Sequence, residues 1–197
     1  MSKIVEDNMQ NIPMDILIQA SRGNIAAFEE IYRQASGFVY SVALRITANA
    51  DEAKEVTQDV FIKIYNNLRR FRFRSSFNTW VYRITTNTAL NALKKSSKEM
   101  GRRADYDVTL KAKDDRATVT HGMDTEDNKT LLSSLLNSLN PDQRACIVLR
   151  EVEGLNYKEI STALSININT VRTRLKRGRE TLLALGKRGD GYELQKD

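Results

Sequence analysis

Val56-Thr57-Gln58-Asp59-Val60-Phe61-Ile62-Lys63-Ile64-Tyr65-Asn66-Asn67-Leu68 is the stretch that decides the fold. Its apolar residues Val56, Val60, Phe61, Ile64, Tyr65 and Leu68 recur at i, i+4, i+5, i+8, i+9 and i+12. That is the stripe of an amphipathic helix, not the alternation of a strand. The helix begins near Asp51, and Glu55, Gln58, Asp59, Ile62 and Lys63 fall on its other face. Upstream, Pro13 opens a short helix that Gly23 ends, and Asn24 caps a second one through Ile25, Phe28, Ile31 and Tyr32. Downstream, after residues 71–77, a fourth helix is predicted from about Asn78 to Lys95. Four helices and a loop make a compact bundle.

The remainder of the 197 residues is equally poor in breakers. Nine glycines and two prolines are about 6 % of the chain, half the usual share, which predicts an all-α protein. The longest apolar run, Ala145 to Leu149, is far too short to cross a membrane, and Glu6 and Asp7 interrupt any secretory signal, so a cytoplasmic protein without membrane insertion is expected. One cysteine, Cys146, and one histidine, His121, leave no disulfide within the chain and no His/Cys zinc site. Cys146 stands in Ala-Cys-Ile-Val-Leu and reads as an inert buried thiol. There is no phosphate-binding loop of the G-x-x-x-x-G-K-[ST] type, and neither a metal nor another cofactor is expected.

Charge divides the chain in three. Residues 1–95 carry 13 basic and 9 acidic residues, residues 96–127 carry 6 and 8, and residues 128–197 carry 12 and 8. The middle segment is rich in Ser, Thr, Asp, Lys and Gly and has no helical stripe. The predicted organisation is two small helical domains, 12–95 and 128–185, joined by a flexible linker, 96–127, with a disordered tail at 186–197. Extended, the linker spans up to about 100 Å, enough to hold the domains apart on a large partner. In the second domain Leu131, Leu132, Leu135, Leu136 and Leu139 keep helical spacing. Pro141 then starts a helix that ends at Gly154, and Asn156 caps a short helix through Leu164.

A turn over Ser165 to Asn169 leads to a last helix from Thr170 to about Leu185. A short helix, a tight turn and a basic helix form the pattern of a helix-turn-helix, whose second helix enters the DNA major groove. Val171, Leu175, Gly178 and Leu182 give the buried stripe of that helix. Asn169, Thr170, Thr173, Lys176 and Arg177 lie opposite it, flanked by Arg172, Arg174 and Arg179. Five cations fall between Arg172 and Arg179 with no acid among them, so the face suits base edges and phosphates better than a merely solvated surface.

A second concentration lies between Phe61 and Tyr82, which holds seven of the chain's 14 aromatic residues. From Val60 to Lys98 there are nine basic residues and no acid. Arg69-Arg70-Phe71-Arg72-Phe73-Arg74 alternates cations with rings, a poor core segment but a suitable groove for a single strand whose unstacked bases lie on the rings. Phe61 and Tyr65 read as core, whereas Phe73, between two arginines, reads as a ligand-facing ring.

These residues resemble a known family. Asp51-Glu52-Ala53 with Gln58 through Tyr65, then Phe77-Asn78-Thr79-Trp80-Val81-Tyr82-Arg83-Ile84-Thr85-Thr86-Asn87, is similar to region two of extracytoplasmic-function (ECF) sigma factors. Leu139-Asn140-Pro141, Gly154 through Ile160, and Thr170 through Glu180 are similar to their region four. The chain departs from the usual pattern with Asn91 where an Asp is frequent, and with Asn167-Ile168-Asn169-Thr170 in place of Pro-x-Gly-Thr.

The resemblance implies a non-enzymatic promoter-specificity subunit of RNA polymerase. Its partners would be core polymerase, through the clamp coiled coil and the flap, promoter DNA and an anti-sigma factor. It places Lys63, Phe71, Arg72, Phe73, Arg74, Ser75, Ser76, Phe77, Trp80, Arg83, Thr86 and Asn87 on the unwound downstream element. Asn169, Thr170, Arg172, Thr173, Arg174, Lys176, Arg177 and Arg179 would bind the duplex upstream element, and Glu55, Gln58, Asp59, Ile62 and Lys63 the polymerase. The rival reading is a helix-turn-helix transcription factor that acts as a dimer without polymerase, which would have little use for the rings between Phe61 and Tyr82.

Overall fold

The computed structural model describes residues 12–71, 75–106 and 132–193, and among these every regular element is helical. In the first domain α1 (Met14–Ser21) follows Pro13 and stops at Gly23, whose φ of +94° is the left-handed backbone that glycine adopts freely. The Asn24 carboxamide accepts the Ala27 N–H at 3.1 Å and opens α2 (Ile25–Thr47). Asn49 caps α3 (Ala50–Leu68) by accepting from Asp51 and Glu52. α4 (Phe77–Tyr106) starts where Ser76 Oγ accepts the Thr79 N–H. Helices α2, α3 and α4 pack around Ile31, Val39, Val42, Ile46, Val60, Ile64 and Val81, all essentially buried.

Two expectations need correction here. Tyr65 is 51 % exposed, with its ring edge-on to Phe28, so the buried stripe of α3 is Val56, Val60, Phe61, Ile64 and Leu68. α4 runs on to Tyr106, past the predicted end at Lys95, because residues 95–100 hold no breaker and a single Gly101 costs a helix only about 1 kcal/mol. The rest of the predicted linker, His121 with it, lies outside the described residues.

In the second domain α5 covers residues 132–137, and Asn140 caps α6 (Pro141–Ile147) through the Gln143 N–H. The chain widens into one π-helical turn, Val148–Val152, before Gly154 at φ +73°. Asn156 and Glu159 form a reciprocal capping box at the start of α7 (Tyr157–Leu164). α8 (Ile168–Glu193) begins earlier and ends later than predicted. Asn167 accepts the Asn169 N–H at 2.8 Å, so Asn167 caps the helix and Asn169 lies inside its first turn. Gly186 stays in helical backbone instead of turning left-handed, so α8 carries through residues predicted as tail.

The two domains share one continuous core, with α4 on α7 and α2 on α6. Arg144 is 8 % exposed and donates across the boundary to the Ile46 carbonyl at 3.0 Å, while its other terminal nitrogen holds Asn137 O and Leu139 O. The Glu153 carboxylate accepts from Arg45 Nη1 at 3.0 Å and Tyr82 Oη at 2.9 Å. Burial and that carboxylate push the Tyr82 phenol well above its usual range. Cys146 is fully buried, and desolvation pushes its thiol up to about 11, so it stays protonated and unreactive at neutral pH.

Gly178 on α8 packs against α6: a Cβ there would stand 2.9 Å from Ile147 Cγ1, in the core. Gly178→Ala is expected to lower stability, since overpacking of about 1–3 kcal/mol exceeds the gain in helix propensity. Made on top of Ile147→Ala, the same change should instead stabilise. Urea denaturation of the four proteins checks this; equal effects in both backgrounds would mean that the contact carries no strain.

Candidate nucleic-acid interface

Which side chains line the first domain's cleft follows from the rotation of α4. Val81, Thr85 and Ala89 are fully buried, so Trp80, Arg83, Asn87 and Asn91 share the opposite face at i, i+3, i+7 and i+11. With α3 and the chain after it, that face encloses an open cleft of about 570 Å³. Lys63 Nζ crosses it to donate to Thr88 Oγ1 at 2.9 Å, and Asn67 folds back on Lys63 O at 2.8 Å. Among the described residues, three cations, Lys63, Arg70 and Arg83, line the cleft and no acid does. The walls therefore offer positive charge and amide groups around a half-buried indole.

Of the residues predicted for a single strand, Lys63, Phe71, Ser75, Trp80, Arg83 and Asn87 are brought together at this cleft. Phe71 stacks on Trp80 at 4.8 Å between centroids, so part of the ring platform is already packed on itself. Phe77 is buried beneath both rings, and Ser76 serves α4 as a cap. Thr86 is fully buried and gives its hydroxyl to Tyr82 O at 2.7 Å, so it turns into the bundle and away from the cleft. Arg72, Phe73 and Arg74 lie outside the described residues. Asn67, Arg70, Thr88 and Asn91 also line the cleft and are absent from the predicted set; the helical period that joins Trp80 to Asn87 also points to Asn91.

Glu55, Gln58, Asp59 and Ile62 all project from α3 into solvent, with Ile62 58 % exposed. Lys63 belongs to the cleft side of the same helix.

On α8 the predicted stripe holds, with Val171, Leu175 and Gly178 buried and Leu182 packed at the edge of the core. Asn169, Thr173, Lys176 and Arg177 are exposed, and Thr170 is half-buried. The flanking arginines have protein partners: Arg172 donates to Asn169 Oδ1 at 2.8 Å, Arg174 to Asp142 at 2.9 Å and Arg179 to Glu151 at 2.6 Å. Among the described residues no cluster of His, Cys, Asp and Glu is suited to a metal ion, and no helix is long and apolar enough to cross a membrane.

The described residues thus form an all-helical fold with a cationic cleft in one domain and a helix-turn-helix in the other. The family models "Sigma-70 region 2" and "Sigma-70, region 4" match residues 31–99 and 129–182. The RNA polymerase sigma-H factor of Pseudomonas aeruginosa is 32 % identical over 88 % of this chain and 93 % of its own length. The ECF sigma factor SigW of Bacillus subtilis is 32 % identical over 83 % and 91 %. SigE of Mycolicibacterium smegmatis, also 32 % identical, is longer, and the chain spans 60 % of it. The solved sigma factor RpoE of Bartonella quintana, in complex with the anti-sigma factor NepR, shares the fold at a TM-score of 0.63 and 21 % identity, over 83 % of this chain and 98 % of that one. The chain belongs to the sigma-70 family, in its ECF class of alternative sigma factors. The polymerase-independent dimer is not favoured.

Trp80 is the chain's only tryptophan and lies in the cleft, so its emission reports what enters. A short single-stranded oligonucleotide should quench it through stacking. Heparin, a polyanion without bases, should leave it nearly unchanged. Equal quenching by both would remove the indole from the proposed stacking platform.

Proposed function

We propose that residues 12–95 bind core RNA polymerase and trap the unwound downstream promoter element, while residues 128–185 read the upstream element as duplex and 96–127 join them. The chain itself catalyses nothing, uses no cofactor and works in the cytoplasm. The observation that carries this reading is the cleft between α3 and α4: cations for phosphates, an indole for stacking, amides for a base edge and no carboxylate to repel the strand. A base leaves the stack at a cost of a few kcal/mol. A site that binds only the unstacked form offsets that cost and shifts the duplex toward open without nucleotide hydrolysis.

In this mechanism Lys63, Arg70 and Arg83 hold the backbone, Trp80 receives the base face, and Asn87 with Asn91 meets its polar edge. Arg72, Phe73 and Arg74 are assigned to the same unstacked base, a role that rests on the alternation of cations with rings and on the family resemblance. On α8 the bases fall to Asn169, Thr170, Thr173 and Arg177, with Lys176 on phosphate. Arg172, Arg174 and Arg179 reach phosphates only by exchanging their present partners. The exposed face of Glu55, Gln58, Asp59 and Ile62 is assigned to the polymerase clamp. An anti-sigma factor is a further proposed partner, by analogy with the protein captured on the Bartonella quintana relative.

Transcription with purified core polymerase, with and without this chain, tests the whole reading at once. Asn87→Ala and Arg83→Ala should lower promoter opening about tenfold or more while sparing core binding, one lost contact being worth about 1–3 kcal/mol. Asp59→Arg should do the reverse, weakening core binding without unfolding the domain, because the site is solvated. Normal opening by both cleft variants would refute the cleft assignment, and unchanged core affinity in Asp59→Arg would refute the α3 assignment.

A further inference from the structure

The stripe of α4 that lines the cleft runs on past Asn91 into a second cavity. Leu90, Leu93, Lys94 and Lys98, at i, i+3, i+4 and i+8, line a groove of about 580 Å³ whose other long wall is α8, with Thr173, Arg174 and Arg177. Pro141 and Asp142, at the start of α6, belong to the same lining. Four cations converge here: Lys94 and Lys98 lie about 6 Å apart along α4, and Arg174 and Arg177 about 4.5 Å apart along α8. Asp142 is the one acid lining the groove among the described residues, and it already holds Arg174 at 2.9 Å. No ion pair among the described residues reaches Lys94, Lys98 or Arg177. Apolar surface completes the site: Leu90 is buried in the core, Leu93 packs against it, and Pro141 opens α6.

Like charges gathered in one cavity repel one another, and an anion with several charges relieves that repulsion. Volume, charge spacing and apolar surface decide its form. A duplex, whose major groove alone is about 12 Å wide, does not fit between two helices in this volume. The groove lies instead within the roughly 300–1,000 Å³ of small-molecule sites. An extended acidic peptide sets the carboxylates of one side about 7 Å apart, too sparse for four cations spread over little more than one turn of each helix. Linked phosphates place several charges within that span and offer oxygens to both lysine and arginine donors. Phosphates alone would leave Leu90, Leu93 and Pro141 uncovered, whereas a heterocyclic base removes that surface from water.

We propose that this groove binds a nucleoside polyphosphate, its phosphates held by Lys94, Lys98, Arg174 and Arg177 and its base lying on Leu90, Leu93 and Pro141, and that the ligand competes with duplex DNA for Arg177. The competition rests on the reading of α8 as the duplex-binding helix, but the site itself does not. Nucleotide binding is therefore measured without DNA, so that the two ideas fail separately.

Calorimetric titration of the full chain with adenosine triphosphate, free of divalent cations and at about 0.15 M salt, tests the site with diffuse attraction screened. Saturable binding of one nucleotide is expected. Lys98→Ala and Arg177→Ala should each weaken it about tenfold, as the loss of one charge-assisted hydrogen bond does. Leu93→Ala should weaken it severalfold through the base. Lys95→Ala removes the same charge from the same helix but outside the groove lining, and should leave the affinity unchanged. Pyrophosphate, which lacks the base, and adenosine, which lacks the charge, should each bind at least about tenfold more weakly than the triphosphate. Circular dichroism checks that the variants keep their helicity. No binding by the wild type, full affinity in Lys98→Ala, or an equal loss in Lys95→Ala would overturn the site. Pyrophosphate or a hexaglutamate peptide binding as tightly as the nucleotide would overturn the ligand class. At constant ionic strength, saturating triphosphate should weaken binding of a short random-sequence duplex severalfold. Unchanged duplex affinity would overturn the competition alone. A chain that binds the nucleotide but no duplex would overturn the α8 reading and the competition with it, and would leave the site standing.

Discussion

The rotation of α4 about its own axis is the constraint on which the rest depends. Val81, Thr85 and Ala89 turn one face of α4 fully into the bundle. Thr85 and Thr86, both fully buried on this helix, return their hydroxyls to Val81 O and Tyr82 O, one turn back. An unmet buried hydroxyl would cost about 1–3 kcal/mol, so these bonds let a polar sequence lie against an apolar core without a penalty. With that face fixed, Trp80, Arg83, Asn87, Asn91, Lys94 and Lys98 have one direction left to face. A single stripe thus serves the cleft at one end and the groove opposite α8 at the other.

This arrangement puts the side chains proposed to bind a strand on a helix and not on loops alone. Lys63 braces α3 against α4 through Thr88, and the stacked Phe71 and Trp80 rings tie the chain after α3 to the start of α4. The amides that face an incoming base are therefore held by packed elements, which limits the ordering cost of binding. On the proposed reading, cations at Lys63, Arg70 and Arg83 would supply attraction that carries no sequence information, leaving discrimination to Asn87 and Asn91.

How much of this is legible in sequence depends on range. The α3 stripe apart from Tyr65, the caps at Asn24 and Asn156 and the helix start at Pro141 are local patterns, and they appear as the residues predict. Tyr65 is misread because a large ring at a stripe's edge packs edge-on to Phe28 with half its surface in water. Thr86 is misread because a polar residue beside Asn87 reads as a partner for DNA until its back-bond to Tyr82 O is seen. The early start of α8 turns on a choice between Asn167 and Asn169, two equally good caps two residues apart. Glu153 is invisible to any local reading: its partners Arg45 and Tyr82 stand 108 and 71 residues away, and in sequence it is an ordinary acid before a glycine.

The account's central claim is that one promoter base leaves the stack and enters the cleft beside Trp80. The most direct measurement places 2-aminopurine, whose fluorescence rises on unstacking, at successive positions of the downstream element's non-template strand. Core polymerase with this chain is then added. The account predicts a rise confined to one or two adjacent positions, absent with core polymerase alone and lost with Asn87→Ala. A rise that persists in that variant, or a uniform rise across the element, would contradict it.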